Sequence, residues 1–296
     1  MKKEVKLDLS GGIKRLKILT NQIVNTRFIG NYKSVFRGRG LEFKDYRPYT
    51  PNDDVAIIDW KASVKSKKLL VKQFEEERNL NIFFIIDASS SMVYGSIDKL
   101  KMEYAGEIAA ALSFSVLNAG DGIGFIMFSD EIVKSMPPTI GPVQYQNLVK
   151  ALVNPNNYGG KYNLNNALKF VLSFLKEDSI VILLSDFIGL KNDWETYIKM
   201  LSRKFDLIGI MVRDPRDKIL PHYSGQAILE DPYSDRQVLV RPELIEENYR
   251  KYVIKQEQTV KNAFLGANAD FVNLTTDKSF VESIINLFMK RALRYR

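Results

Sequence analysis

From residue 81 onward, short apolar runs alternate with longer amphipathic segments along the chain. Residues 81–86 (NIFFII) and 180–184 (IVILL) are unbroken apolar runs, which is typical of strands that are buried on both faces. Residues 99–118 predict a long helix whose small residues allow close packing on a sheet. Repeated strand and helix units favour a mostly parallel sheet with helices on both of its faces. We therefore predict a doubly wound α/β domain over residues 81–296, with roughly six strands.

The same pattern predicts the remaining elements of this domain. We expect strands at residues 123–128, 131–136, 206–212 and 269–274, and helices at residues 143–152, 165–175, 194–203, 243–265 and 277–293. Asp277 is expected to cap the last of these helices. Residues 213–242 interrupt the rhythm with several prolines and a predicted hairpin at residues 226–229 and 237–240, so we interpret them as an excursion from the sheet.

The first 80 residues have a different pattern. Residues 13–24 predict a helix, and residues 30–60 are rich in glycine, proline, arginine and aromatic residues. Apolar and polar positions alternate near residues 69–74, which is typical of strands. We therefore predict that residues 1–80 form a small β-containing subdomain beside the α/β domain.

The composition excludes several kinds of chemistry. The chain of 296 residues has no cysteine and one histidine, His222, so disulfides, thiolate zinc sites, a cysteine nucleophile and a multi-histidine metal site are ruled out. A Ser-His-Asp triad would need His222, which lies in a turn-like segment and which we interpret as solvated or capping. No run of ~18 apolar residues and no signal-peptide core is present. We therefore expect a cytoplasmic protein with no membrane partner.

The net charge of +8 belongs to the N-terminal part of the chain. Residues 1–80 contain 18 Lys and Arg against 10 Asp and Glu, and the remainder is balanced. Four of these cations alternate with aromatic residues: Arg37, Arg39, Lys44 and Arg47. They could pair with nearby carboxylates such as Asp53, dock an acidic protein surface, or contact nucleic acid through phosphates and stacking. Internal pairing is favoured, an acidic partner comes next, and nucleic acid is the least favoured.

Oxygen-bearing side chains follow two of the predicted strands. Asp87, Ser89 and Ser91 come directly after residues 81–86, and Asp186 comes directly after residues 180–184. The carboxyl ends of parallel strands meet at one edge of the sheet, where such folds bind ligands. Carboxylate and hydroxyl oxygens are the ligands that Mg²⁺ and Mn²⁺ prefer, although serines at this place also commonly cap turns. A cation site or a catalytic carboxylate pair explains the two aspartates better than packing does. A phosphatase with an aspartyl nucleophile usually has a second carboxylate two residues later, where this chain has Ser89.

Four motifs resemble those of a von Willebrand factor A domain with its metal-ion-dependent adhesion site. They are Asp87-x-Ser89-x-Ser91, residues 120–129 (GDGIGFIMFS), Gly159-Gly160 before residues 164–168, and residues 184–186 (LSD). Upstream, residues 36–43 (FRGRGLEF), 46–49 (YRPY) and 71–78 (VKQFEEER) resemble the signature of an uncharacterised-domain family often encoded beside MoxR-type AAA+ ATPases. The resemblance runs from about residue 28 to the end of the chain.

The resemblance implies a Rossmann-like sheet with a divalent cation such as Mg²⁺, Mn²⁺ or Ca²⁺ at its top. Ser89 and Ser91 would bind the cation directly, Asp87 and Asp186 would stand behind them, and one open position would accept a carboxylate of the partner. The family's threonine ligand has no counterpart, because residues 159–164 read GGKYNL. Asn163 could supply a carbonyl oxygen there or cap the following helix.

The function implied by the resemblance is binding rather than turnover. We predict a non-enzymatic protein-interaction module that works with a MoxR-type AAA+ ATPase in the assembly or maturation of other proteins. Two alternatives stay open: a Mg²⁺-dependent hydrolase that uses Asp87 and Asp186, and a nucleic-acid binder that uses the basic N-terminal residues.

Overall fold

The computed structural model describes residues 42–51, 53–55, 58–75, 81–176, 179–220, 225–234 and 236–294. These residues belong to two compact units, one within residues 36–80 and one that contains the residues from 81 onward. The predicted helix at residues 13–24 and His222 lie outside the described residues.

The smaller unit is a two-stranded antiparallel sheet with one short helix. Strand β1 (Glu42–Pro48) pairs with β2 (Leu70–Glu75), and helix α1 (Trp60–Ser66) lies between them in the chain. Arg47 makes two hydrogen bonds of 2.6 Å to the carboxylate of Asp53, and this pairing holds the pKa of Asp53 well below its usual range. Arg47 therefore has the internal partner expected of it, whereas Arg37, Arg39 and the Lys44 side chain lie outside the described part of the chain.

The larger unit contains a six-stranded sheet and a separate two-stranded hairpin. Its strands are β3 (Asn81–Asp87), β4 (Gly122–Phe128), β5 (Ile132–Thr139), β6 (Ser179–Ser185), β7 (Asp206–Arg213), β8 (Ala227–Glu230), β9 (Gln237–Val240) and β10 (Asp270–Thr275). The six-stranded sheet has the order β10-β7-β6-β3-β4-β5, and β8 pairs with β9. All neighbours in the six-stranded sheet are parallel except β4 and β5, so the predicted mostly parallel α/β fold is confirmed. Strand β5 continues through two adjacent prolines beyond its predicted end. An edge strand tolerates a proline on its open side, and the register with β4 is irregular between Met136 and Thr139, where both prolines lie.

The helices of the larger unit follow the predicted order, with one additional short helix at residues 215–218 that was not predicted. They are α2 (Lys101–Asn118), α3 (Pro142–Leu152), α4 (Leu164–Phe174), α5 (Trp194–Lys204), α6 (Pro215–Lys218), α7 (Pro242–Gly266) and α8 (Val281–Arg294). The prediction that Asp277 caps the last helix is wrong. Asp277 lies in the turn after β10, where the Lys278 N–H bonds to the Thr275 carbonyl, and α8 begins only at Val281. No helix in the described ranges is long and apolar enough to cross a membrane.

The order of the strands places a ligand site at the carboxyl ends of β3 and β6. The chain leaves β3 toward β4 on one side and later returns to β6 on the other, so the connections diverge at β3. Doubly wound sheets bind ligands at such a switch point. Every residue of β6 is buried, and Ile86 of β3 pairs with Leu184 of β6. The residues that follow these two positions, Asp87 and Ser185, therefore end their strands side by side.

Candidate functional site

Asp87 lies at the centre of the site and is fully buried. Its Oδ1 accepts a 2.9 Å hydrogen bond from the Ser89 N–H, and its Oδ2 accepts a 2.6 Å hydrogen bond from the Ser185 hydroxyl. Burial, and then the negative charge of Asp186, raise the pKa of Asp87 to about 7. The two aspartates predicted to share an edge are thus close enough for the charge of Asp186 to raise the pKa of Asp87.

Asp186 is paired with a buried lysine from the first turn of α2. The Lys101 ammonium lies 2.7 Å from Asp186 Oδ2 and 2.8 Å from Asp217 Oδ2, and its side chain is 1% exposed. Asp186 Oδ1 accepts a hydrogen bond of 2.9 Å from the Ile188 N–H. Burial lowers the pKa of Lys101, but the charges of Asp186 and Asp217 outweigh it and raise the pKa above its usual value. Lys101 therefore acts as a fixed cation between two carboxylates.

The two serines of the motif contact a tyrosine from the hairpin. Ser89 Oγ and Ser91 Oγ are 3.3 Å apart, and the Tyr233 hydroxyl lies 2.8 Å from Ser91 Oγ and 3.4 Å from Ser89 Oγ. The same hydroxyl is 2.8 Å from the Ile188 carbonyl, which can only accept, so its single proton goes there. Burial, and then the charges of Asp186 and Asp87, raise the pKa of Tyr233. The hydroxyl therefore binds the serines as a neutral group.

The loop that lacks the threonine places its residues in three different environments. Tyr162 is buried with its hydroxyl 3.1 Å from Ser185 Oγ, whereas Lys161 is exposed. The Asn163 side chain accepts a 3.3 Å hydrogen bond from the Asn166 N–H and so caps α4. Four of the predicted site residues, Asp87, Ser89, Ser91 and Asp186, are brought together by the fold, while Asn163 serves the helix.

Three site residues were not predicted from the sequence: Lys101, Asp217 and Tyr233. A signal for Lys101 was available, because a cation in the first turn of a helix opposes the helix dipole and needs a local reason. Asp217 lies in the short helix α6 and Tyr233 lies in the hairpin loop, and no spacing in the sequence connects either of them to β3.

A cavity of about 1000 Å³ adjoins this cluster. Ser91, Lys101 and Tyr233 form part of its wall, and Arg216 and Tyr249 line it as well. The wall mixes apolar side chains with charges of both signs, which is the kind of lining that orients a ligand through a few polar contacts.

The donor set is suited to a hard divalent cation. Asp87, Ser89, Ser91 and Asp186 offer oxygen atoms only, which are the ligands that hard divalent cations take. The described ranges contain no group of three or more His, Cys, Asp or Glu residues arranged to hold a metal. A cation here would therefore depend on the serine hydroxyls, which in this structure are engaged by Tyr233.

A sequence relative covers nearly the whole chain, and solved structures are similar over about three quarters of it. The uncharacterised protein Rv1480 of Mycobacterium tuberculosis is 23% identical over 287 residues, which is 96% of this chain and 90% of that protein. The crystal structure of the conserved hypothetical protein BatB from Bacteroides thetaiotaomicron is similar over 72% of this chain and 99% of that one, with 14% identity and a TM-score of 0.49. The von Willebrand factor type A structure from Catenulispora acidiphila is similar over 75% of this chain and 44% of that one, with 13% identity and a TM-score of 0.41. A family model, protein of unknown function DUF58, matches residues 45–259, and because this is well over half of the chain, the chain belongs to that family.

Proposed function

We propose that the protein is a non-enzymatic interaction module whose docking face is the carboxyl edge of its central sheet. The observation that carries this proposal is a cluster of buried oxygen donors that opens into a cavity of about 1000 Å³ at the switch point of the sheet. Ser91 and Lys101 belong both to the cluster and to the cavity wall. A partner side chain that enters the cavity would therefore meet the serine pair and the fixed ammonium together.

A divalent cation belongs to the same proposal. Ser89 and Ser91 would bind it directly with Asp87 and Asp186 behind them, and when bound it would offer a coordination position to a carboxylate of the partner. The chain's own residues prepare this place: Ser185 orients Asp87 through its 2.6 Å hydrogen bond, and Lys101 orients Asp186. Mg²⁺ is the natural candidate because all of these donors are hard oxygen atoms.

The proposed partner is a MoxR-type AAA+ ATPase, in a role in the assembly or maturation of other proteins. The resemblance of residues 36–78 to the signature described above supports this choice. An acidic surface on the partner is supported by the lysines in and directly after α1. These lysines of the smaller unit are all exposed: Lys61, Lys65, Lys67 and Lys68.

The hydrolase alternative has less support from the geometry. A carboxylate that acts as nucleophile or base needs an oxygen atom that can reach the substrate. Asp87 is fully buried and both of its oxygen atoms accept hydrogen bonds inside the chain, while Asp186 is buried against Lys101. A screen of phosphoesters with Mg²⁺ or Mn²⁺ separates the two functions, because turnover that is lost in Asp87→Asn would favour the enzyme.

The docking proposal is tested by binding of the purified MoxR-type ATPase from the same organism, with and without Mg²⁺. We expect association with the parent chain and at least tenfold weaker association with the double variant Ser89→Ala and Ser91→Ala, because both hydroxyls at the docking face are removed. Ser173→Ala is the matched control, since Ser173 is exposed on α4 and its hydroxyl bonds only to the Phe170 carbonyl among the described residues. Absence of association in both conditions would contradict the proposal.

A further inference from the structure

We propose that Tyr233 is an internal ligand of the site, and that its hydroxyl occupies the serine pair until a cation or a partner side chain displaces it. The identity of the group that displaces Tyr233 rests on the proposed function, but the closure of the site by the contact between Tyr233 and the two serines does not. The Tyr233 hydroxyl makes three polar contacts, to Ser89 Oγ, Ser91 Oγ and the Ile188 carbonyl. Tyr233 is more than 140 positions from each of the two serines in the sequence, so these contacts form only because the fold brings the hairpin loop to the site.

The loop opposite Tyr233 is shaped to receive its ring. Gly189 has a φ of +88°, and a Cβ atom built on it would lie 2.8 Å from Tyr233 Cε2 and 3.4 Å from Cζ. Any other residue at position 189 would therefore push the ring out of its present place. The absence of a side chain at Gly189 leaves room for the ring at the place from which its hydroxyl reaches the serines.

The hairpin loop presents Tyr233 in a fixed direction. Asp231 Oδ1 accepts a 3.1 Å hydrogen bond from the Tyr233 N–H, and its Oδ2 accepts a 2.6 Å hydrogen bond from the Ser234 hydroxyl. Such an Asx turn holds the backbone locally without help from the rest of the fold. The tyrosine therefore stays oriented toward the site while the hairpin is closed, and the hairpin moves as a unit when it opens.

The rest of the hairpin is weakly attached. Ile228, Val238 and Leu239 are 62%, 59% and 60% exposed, so these large apolar side chains of β8 and β9 bury little surface. Segments with few buried contacts open locally at a much lower free energy than global unfolding. Tyr233 is thus a main attachment of this segment to the body of the domain, and the same contact blocks the two serines. Opening the hairpin and freeing the serines are one event.

Hydrogen exchange of the hairpin amides tests this closure without any ligand. We expect Tyr233→Phe to speed exchange in residues 227–234 and 236–240 by about fivefold or more, since each net hydrogen bond is worth about that factor. Gly189→Ala should have the same effect because its methyl group displaces the ring. Two controls match these changes: Tyr252→Phe alters an exposed tyrosine, and Gly120→Ala alters a glycine with a φ of +91° and no atom within 4 Å of the added Cβ. Unchanged exchange in Tyr233→Phe, or equal acceleration in the controls, overturns the proposal.

Titration with Mn²⁺ alone, followed by calorimetry, tests the competition. If Tyr233 occupies the serines, Tyr233→Phe should bind Mn²⁺ about fivefold or more tightly than the parent chain, because the cation no longer displaces a hydroxyl. Equal affinities overturn the competition between tyrosine and cation. If neither protein binds Mn²⁺, the cation of the proposed function fails, and the exchange experiment alone decides whether Tyr233 closes the site.

Discussion

Replacing Lys101 with methionine gives the sharpest test of how this site is held together. The ammonium lies 2.7 Å and 2.8 Å from carboxylate oxygens of Asp186 and Asp217, and the Asp186 side chain is fully buried. At an effective dielectric constant of about 20, an attraction across such a distance is roughly 6 kcal/mol, and the cost of removing these ions from water is of similar size. The intact arrangement therefore contributes little net stability, but it neutralises charges that would otherwise be costly.

Methionine keeps most of the apolar stem of the lysine and removes the ammonium group, which leaves the Asp186 carboxylate buried without its partner. Breaking a buried ion pair in this way costs about 3–5 kcal/mol. We expect the free energy of unfolding of Lys101→Met to fall by that amount in urea titrations at pH 7 followed by circular dichroism. The double variant Lys101→Met with Asp186→Asn should recover part of the loss, because the amide oxygen can still accept from the Ile188 N–H.

The control is Lys251→Met, which removes a lysine paired with Glu247 on the surface of α7, where the two side chains are 71% and 81% exposed. Exposed pairs of this kind contribute less than about 1 kcal/mol. If Lys101→Met were as stable as Lys251→Met, the ammonium would not be neutralising a buried carboxylate, and the expected loss of 3–5 kcal/mol, about the cost of breaking a buried ion pair, would be refuted. A double variant less stable than Lys101→Met alone would also refute it, since the unpaired charge would then not be the cause.

Two further predictions concern the centre of the sheet. Asp87 has a pKa of about 7 in the folded chain and about 4 in the unfolded chain, so folding favours its protonated form. This preference adds at most about 4 kcal/mol to the free energy of unfolding below pH 4, and the added stability is lost as the pH rises through 7. Asp87→Asn should remove that loss, and parallel stability profiles of variant and parent between pH 4 and pH 8 would contradict it. Gly209→Ala should lower the free energy of unfolding by about 1–3 kcal/mol, because the added Cβ would lie 2.5 Å from the Phe264 ring. Gly266→Ala, where the Cβ meets no atom within 4 Å, is its control, and equal stabilities in urea would show that the ring moves freely.

The central strands could be predicted because a strand that is buried on both faces consists of consecutive apolar residues. The runs at residues 81–86 and 180–184 are apolar without interruption, and the structure places them side by side as β3 and β6. Parallel pairing then brings Asp87 and Asp186 to one edge with no further information. Local pattern and one rule of sheet topology were sufficient for this half of the site.

The start of the last helix could not be predicted in the same way. Asp277 is a good capping residue by type, and the prediction placed it at the N-terminus of the helix. In the structure Phe280 is buried, with its ring centroid 5.7 Å from that of Tyr104 on α2. The Tyr104 hydroxyl also donates a 2.9 Å hydrogen bond to the Lys278 carbonyl. Packing against a distant helix holds residues 278–280 outside α8, which local capping preference cannot reveal.

By itself, the sequence determined the fold class, the order of the elements and the position of Asp87, Ser89, Ser91 and Asp186, because periodic burial and strand ends are local properties of the chain. Only the tertiary structure decided which side chains complete the site. Lys101 meets Asp217 across 116 positions, and Tyr233 meets Ser91 across 142. Such contacts depend on where the first turn of α2, the short helix α6 and a hairpin loop come to lie relative to one sheet edge. Desolvation then makes these contacts decisive, since a buried carboxylate must find a cation or hydrogen-bond donors and a buried hydroxyl must find a hydrogen-bond partner.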